Sequence, residues 1–216
     1  MPAPAPTRLP LVLLTGFDAF GGASVNPSGL AVQVLEGEVI EGHRVHALQL
    51  PTVFGVSEDM LLQALSKHRP ALVIAVGVAH GRSGLSLEQV AINWCDASIP
   101  DNAGAQPQGN PVLPGGPNAY FSSLPVKAIC QALLQAGIPA QVSLSAGSYV
   151  CNHVFYGLMH SLANKRKGWC KNARGGFIHV PSLPEQALAG APCLPLVRQI
   201  QGLRLAVQTA LQCPTA

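Results

Sequence analysis

Charged side chains make up only 11% of the 216 residues and aromatic ones 5%. A chain so poor in charge lacks the basic face that grips nucleic acid and the like-charge blocks of solvated tails. Its formal balance of +3 is local, because residues 165–174, "KRKGWCKNAR", hold five of the 13 Lys and Arg, and without them the sign turns negative. That stretch reads as a solvated surface insertion. No apolar run approaches the ~20 residues of a membrane-spanning helix, and "LPLVLL" is too short for a signal-peptide core. The expectation is a cytoplasmic protein with neither nucleic acid nor membrane as partner. The six cysteines contain no C-x-x-C pair, which argues against a zinc site or a disulfide framework. "GFDAFGG" has neither G-x-G-x-x-G nor Walker A spacing, so no nucleotide cofactor and no metal are expected.

What is present is apolar and regularly interrupted. Hydrophobic residues make up 48%, high enough to expect that other subunits cover some apolar surface, as in a homo-oligomer, a dimer or tetramer. Residues 1–8, "MPAPAPTR", are Pro-rich and read as a flexible lead-in, with one domain over 9–216. "LPLVLLT", "RVHALQL", "ALVIAVGV", "LSLEQVAIN", "AQVSLS" and "GGFIHVP" read as strands. Helices are expected from Pro27 under an Asn26 cap, after Ser57, from Pro125, from Cys151 and through "LPLVRQIQGLRLAVQTALQ". Residues 99–121 are rich in Gly, Pro and Asn and read as one long loop. Alternating strands and helices predict a three-layer α/β/α sandwich with a mostly parallel open sheet. In such sheets ligand sites lie where loops leave the C-terminal strand ends, and Gly16, Cys151 and the residues after Val78 fall at such exits.

One cysteine has a setting with chemical consequences. Val154, Phe155, Leu158, Met159 and Leu162 form a helical face that puts Cys151 in the first turn. Unpaired N–H groups there favour thiolate over thiol and are able to hold an oxyanion. Cys151 is therefore either small core filler or a nucleophile. A nucleophile needs a base. His153 is turned away on the helix and His160 is too far along it, whereas His179 lies near the end of a strand. An orienting carboxylate is the third requirement, and Glu88, within an apolar strand, needs a cation. Either His179 or Arg82 would supply it. Phe17 and Phe20, beside the first strand, read as buried staples or as flat walls for a small ligand.

These residues carry a resemblance. "LLTGFDAFGGASVNPSG", "LEQVAINWCDASIPDNAG", "SAGSYVCNH" and "GFIHVPSLPEQ", in that order, resemble the four signatures of the type I pyroglutamyl peptidases, a cysteine peptidase family. The resemblance implies Cys151 as nucleophile, His179 as base and Glu88 as the residue that orients it. It also implies that Phe17, Phe20 and Asn26 lie near a pyroglutamyl pocket, with Ile99 and the loop from Asp101 nearby, and that N-terminally pyroglutamylated peptides are the substrates. Two positions depart from the family pattern: Val78 replaces a glutamine and Ser98 an arginine. They leave open a catalytically weak or silent relative that only binds such peptides or another small amide.

Overall fold

The computed structural model describes residues 9–164 and 172–213; residues 1–8, and most of the basic stretch at 165–174, lie outside them. Two continuous apolar runs set the centre. Strand β1 (Leu11–Phe17) and strand β4 (Leu72–Val78) are buried almost throughout, as expected of strands covered on both faces. Seven strands pair in the order β2-β3-β1-β4-β9-β5-β8. The rest of this sheet is β2 (Val39–Ile40), β3 (His43–Leu50), β5 (Leu85–Glu88), β8 (Ala140–Ser143) and β9 (Arg174–Val180). Pairings β1–β3, β1–β4, β4–β9 and β5–β8 are parallel; β2–β3 and β5–β9 are antiparallel.

Alternation along the strands divides the core in two. Val12, Leu14, Ile74, Val76 and Ile178 face one layer, made by α1 (Pro27–Val34), α3 (Val126–Gln135) and α5 (Leu196–Gln212). Leu13, Val73, Ala75 and Phe177 face the other, made by α2 (Val56–His68) and α4 (Val150–Ala163), and meet Leu61, Leu65, Val154, Phe155 and Leu158 there. Fully burying each such side chain contributes roughly 1.5–3 kcal/mol. The architecture is thus the three-layer α/β sandwich that the pattern predicts. The layer next to α4 matters most for function, because Gly77 and His179 continue its strand faces.

Four local expectations differ from what forms. "LSLEQVAIN" breaks at Gln89 into β5 and β6 (Val90–Ile92), which join different sheets. Gln89 donates its N–H to Ser143 O and accepts from Ser122 N, so its two backbone groups turn towards different neighbours. Within the long loop, β7 (Ala119–Phe121) pairs with β6, a short partnership with no periodic signal to announce it. Helix α2 begins at Val56 after Gly55, whose φ of 73° suits glycine, while the Ser57 hydroxyl donates back to Val53 O instead of capping. Finally, β8 runs antiparallel to β4 and β9, because it pairs parallel with β5, which is itself reversed against β9. The strand before Cys151 therefore does not end at the edge where β4 and β9 end, and the connection 144–149 brings the chain back.

Candidate active site

Cys151 occupies the first turn of α4, preceded by Tyr149 in extended conformation. Its sulfur packs over β4. A Cβ added at Gly77 would lie 2.7 Å from Cys151 Sγ and 2.9 Å from the Phe177 ring, so only a glycine leaves room for the sulfur. Gly77 is the register partner of His179 on β9, and register partners on neighbouring strands project to the same face. Thiol and imidazole therefore share one face of adjacent strands. Glu88, at the end of β5, reaches the same ring: His179 Nδ1 is 2.8 Å from Glu88 Oε1. An ionised carboxylate only accepts, so Nδ1 carries the proton and Nε2 is left as the basic nitrogen.

The carboxylate serves two donors. Arg82, on the loop between β4 and β5, donates from Nη1 to the same Oε1 at 2.7 Å, and from Nη2 to Ser145 O at 3.3 Å. Sequence reasoning set Arg82 and His179 as rivals for Glu88; both hold it. Glu88 is fully buried, and its Oε2 has no hydrogen-bond partner among the described residues. Removing either cationic or donor group would leave this buried charge short of compensation.

The electrostatics correct one expectation. Burial, reinforced by the Glu88 charge, pushes the Cys151 thiol up to about 12, against the smaller opposing pulls of Arg82 and a backbone hydrogen bond. The helix start does not win over desolvation here. His179 moves the other way: burial lowers it, Glu88 partly restores it, and Arg82 lowers it further. At neutral pH the pair rests as thiol and neutral imidazole.

The residues expected around a ligand separate into two groups. Phe20 is half-buried, with its ring 6.1 Å from Tyr149 and 6.4 Å from His80. Ile99 is 43% exposed, and its Cδ1 approaches Gly21 of the same glycine turn. Phe17, by contrast, is buried in the core beside α4. Asn26 is buried as the α1 cap: its Oδ1 accepts from Ser28 N at 3.1 Å, and its Nδ2 donates to Asp18 O at 2.8 Å. These two hold the turn from behind. Val78 is buried opposite Val180, on the other face of β4 from Gly77, and Ser98 is exposed.

Two contributors, Tyr149 and Gly77, escaped sequence reasoning, and a third, Asp101, entered it only as the start of a loop near the pocket. Tyr149 joins the site's aromatic residues, edge-on to Phe54 at 5.4 Å, with its hydroxyl donating to Pro100 O at 3.0 Å. Its position immediately before the helix that carries Cys151 was the available signal. Asp101 accepts from Phe54 N, Ala103 N and Ala105 N, which fixes the loop after Ile99. Gly77 gave no signal in sequence, because its importance is the absence of a side chain beside a sulfur far along the chain. Among the described residues no group of three or more His, Cys, Asp or Glu is arranged to hold a metal ion.

A thiol at a helix start, an imidazole held through Nδ1 and a buried carboxylate, carried by an open α/β sheet, define the cysteine-hydrolase class. The pyroglutamyl peptidase family model matches residues 11–213, and the chain belongs to that family. It is 53% identical over 205 residues to the pyrrolidone-carboxylate peptidase of Cupriavidus taiwanensis, covering 94% of each chain. It is 52% identical over 207 residues to pyrrolidone-carboxylate peptidase 1 of Ralstonia nicotianae, again covering 94% of each. The crystal structure of pyroglutamyl peptidase I from Bacillus amyloliquefaciens superposes with a TM-score of 0.90 at 46% identity, covering 95% of this chain and 97% of that one. A mutant pyrrolidone carboxyl peptidase from the hyperthermophile Pyrococcus furiosus gives 0.88 at 40% identity, covering 93% and 98%.

Proposed function

We propose that Cys151, His179 and Glu88 carry out the family's reaction in this chain, hydrolysis of the amide bond after an N-terminal pyroglutamyl residue. His179 Nε2 takes the Cys151 proton as the sulfur attacks the pyroglutamyl carbonyl. The first-turn N–H groups of α4 receive the oxyanion, and the imidazolium returns its proton to the leaving amine. Water, activated by the same nitrogen, then releases pyroglutamate from the thioester. Glu88 fixes the Nδ1–H tautomer and stabilises the transient imidazolium. The observation that carries this reading is the seating of Cys151 Sγ over Gly77, the register partner of His179.

The lactam ring is neutral, with one donor and one acceptor. Phe20 and Ile99 suit its faces, with Phe17 and Asn26 supporting the turn from beneath. A proline ring lacks the lactam carbonyl, and leaving the donor that receives it unpaired costs about 1–3 kcal/mol. Release of aminomethylcoumarin from its pyroglutamyl amide tests the reading. Wild type releases it, the prolyl amide is a poor substrate, and Cys151→Ala gives no signal. Binding of the pyroglutamyl amide without turnover by wild type would establish the silent relative instead.

The same reading includes a cytoplasmic homo-oligomer, dimer or tetramer. It is supported by the exposure of Phe121, Leu144 and Leu188, apolar side chains that a monomer leaves in water. Sedimentation velocity showing only monomer at micromolar concentration would refute the association.

A further inference from the structure

A second thiol–imidazole–carboxylate group lies outside the catalytic one. Cys95 Sγ is 3.3 Å from His153 Nδ1, and His153 Nε2 is 3.0 Å from Glu58 Oε2. The three residues come from the segment after β6, from α4 and from α2, and the Phe54 ring closes edge-on against the imidazole at 5.6 Å. His153 is two residues beyond Cys151 and faces away from it, so this cluster takes no part in the hydrolysis described above. Cys95 and His153 are both buried. Burial alone would keep the ring neutral, but its contacts with Cys95 and Glu58 outweigh that and push His153 up to about 9. As an imidazolium it turns Nδ1 to the buried sulfur and pairs its charge with the partly exposed Glu58 carboxylate. Cys130, the other buried thiol described, sits in the opposite core, and desolvation raises it.

We propose that Cys95 is a peroxide-sensitive modification site, with His153 and Glu58 as its proton-handling partners. In the reaction the Cys95 sulfur attacks one oxygen of a hydroperoxide. An S–O bond forms and the O–O bond breaks. The sulfur attacks as the thiolate and is oxidised to sulfenic acid, whose hydrogen comes with the peroxide oxygen; the peroxide is reduced, and the departing oxygen takes a proton from the His153 imidazolium and leaves as water or alcohol. A hydroperoxide is small enough to reach Cys95, a residue 4% exposed whose backbone pairs with Asn110 in a two-residue bridge.

The added oxygen has nowhere to go without moving its neighbours. Residues 92–96 are stitched to the start of α4 on both sides of Cys151. Asp96 N donates to Ser148 O at 3.0 Å, Ser148 Oγ donates to Asp96 O at 2.7 Å, and Asn152 Nδ2 donates to Ile92 O and Trp94 O. Oxidation of Cys95 therefore disturbs the seat of Cys151 and lowers hydrolysis, while Cys151 itself, a neutral thiol at rest, reacts more slowly.

The test is peroxide exposure of the Cys151→Ser protein, quenched into denaturant containing dimedone, with peptide mapping. Cys95 should be trapped faster than Cys130, and His153→Gln should slow it about 100-fold, the low end of what a positioned proton donor supplies, with a smaller loss in Glu58→Gln. Melting curves identify any variant that fails to fold, and Glu58→Gln, whose side chain keeps its shape, then decides. Equal trapping of Cys95 and Cys130, or a rate unchanged by both substitutions, would overturn the site. With Cys151 intact, wild type should lose hydrolysis in step with Cys95 labelling while Cys95→Ser resists the same dose. Equal inactivation of the two would overturn the link to activity.

Discussion

Gly77→Ala is the most informative single substitution, because the structure gives its consequence in ångströms. The new methyl would meet Cys151 Sγ at 2.7 Å and the Phe177 ring at 2.9 and 3.1 Å, where ordinary contacts begin at 3.4 Å. Phe177 is fully buried against Phe155 and cannot yield far, so the sulfur and the first turn of α4 take most of the movement, about 0.7 Å or more. Displacing a reacting atom by about 1 Å costs on the order of 100-fold in rate. Overpacking of this kind also destabilises by roughly 1–3 kcal/mol. Steady-state kinetics on a pyroglutamyl coumarin amide should show the loss mainly in kcat, since Phe20 and Ile99 are untouched, and a thermal melt should show the loss of stability. Adding Cys151→Ala to the variant should return part of the melting temperature by removing one of the clashing atoms. Full activity in Gly77→Ala would refute the placement of the sulfur.

Other expectations follow from the charged groups. Glu88→Gln keeps the size of the side chain but removes the charge behind the imidazole, and kcat should fall by about 10⁴-fold, as when the triad carboxylate of a serine protease is neutralised; a loss confined to KM would contradict the orienting role. Arg82 holds both His179 and Cys151 below where they would otherwise titrate. Arg82→Gln should therefore move both limbs of the kcat/KM profile to higher pH, and Arg82→Lys should largely restore them; unmoved limbs would reduce Arg82 to a loop anchor. Iodoacetamide labelling of Cys151, with peptide mapping, should rise with a midpoint above the ordinary ~8.5 of a thiol, given a group pushed up to about 12; a midpoint near 7 would show that the helix start outweighs burial. His153 is raised above its unfolded value, so its contribution to stability is complete below about pH 6.5 and is lost as pH rises through about 9. Denaturant unfolding of wild type against His153→Gln should converge above that pH, and a constant difference across the range would contradict it.

Much of this was legible in the sequence, and the parts that were not share a cause. "ALVIAVGV" and the helix from Cys151 announce themselves because burial on both faces and a 3.6-residue period leave unambiguous patterns. Asn26 followed by Pro27 marks the start of α1 by local chemistry alone. The reversal of β5 against β9, the splitting of "LSLEQVAIN" at Gln89 and the pairing of β7 are decided by partners distant in the chain, which no local period encodes. The site divides the same way. Cys151, His179 and Glu88 stood out as candidates because each residue type is costly or reactive where it sits. Gly77, Tyr149 and the double use of Glu88 Oε1 exist only as contacts between elements. The thiol's neutral resting state was missed for a physical reason: a helix terminus is visible in sequence, whereas the desolvation that outweighs it depends on the packed neighbours.

The central claim is that Cys151 carries the acyl group and His179 moves its proton. Acid-quenched turnover of an activated pyroglutamyl ester, followed by peptide mass mapping, tests it most directly, and His179→Ala should prolong the intermediate by slowing its hydrolysis. The account predicts one pyroglutamyl thioester on the peptide bearing Cys151. Turnover with that peptide unmodified, or with the acyl group on Cys95, would contradict it.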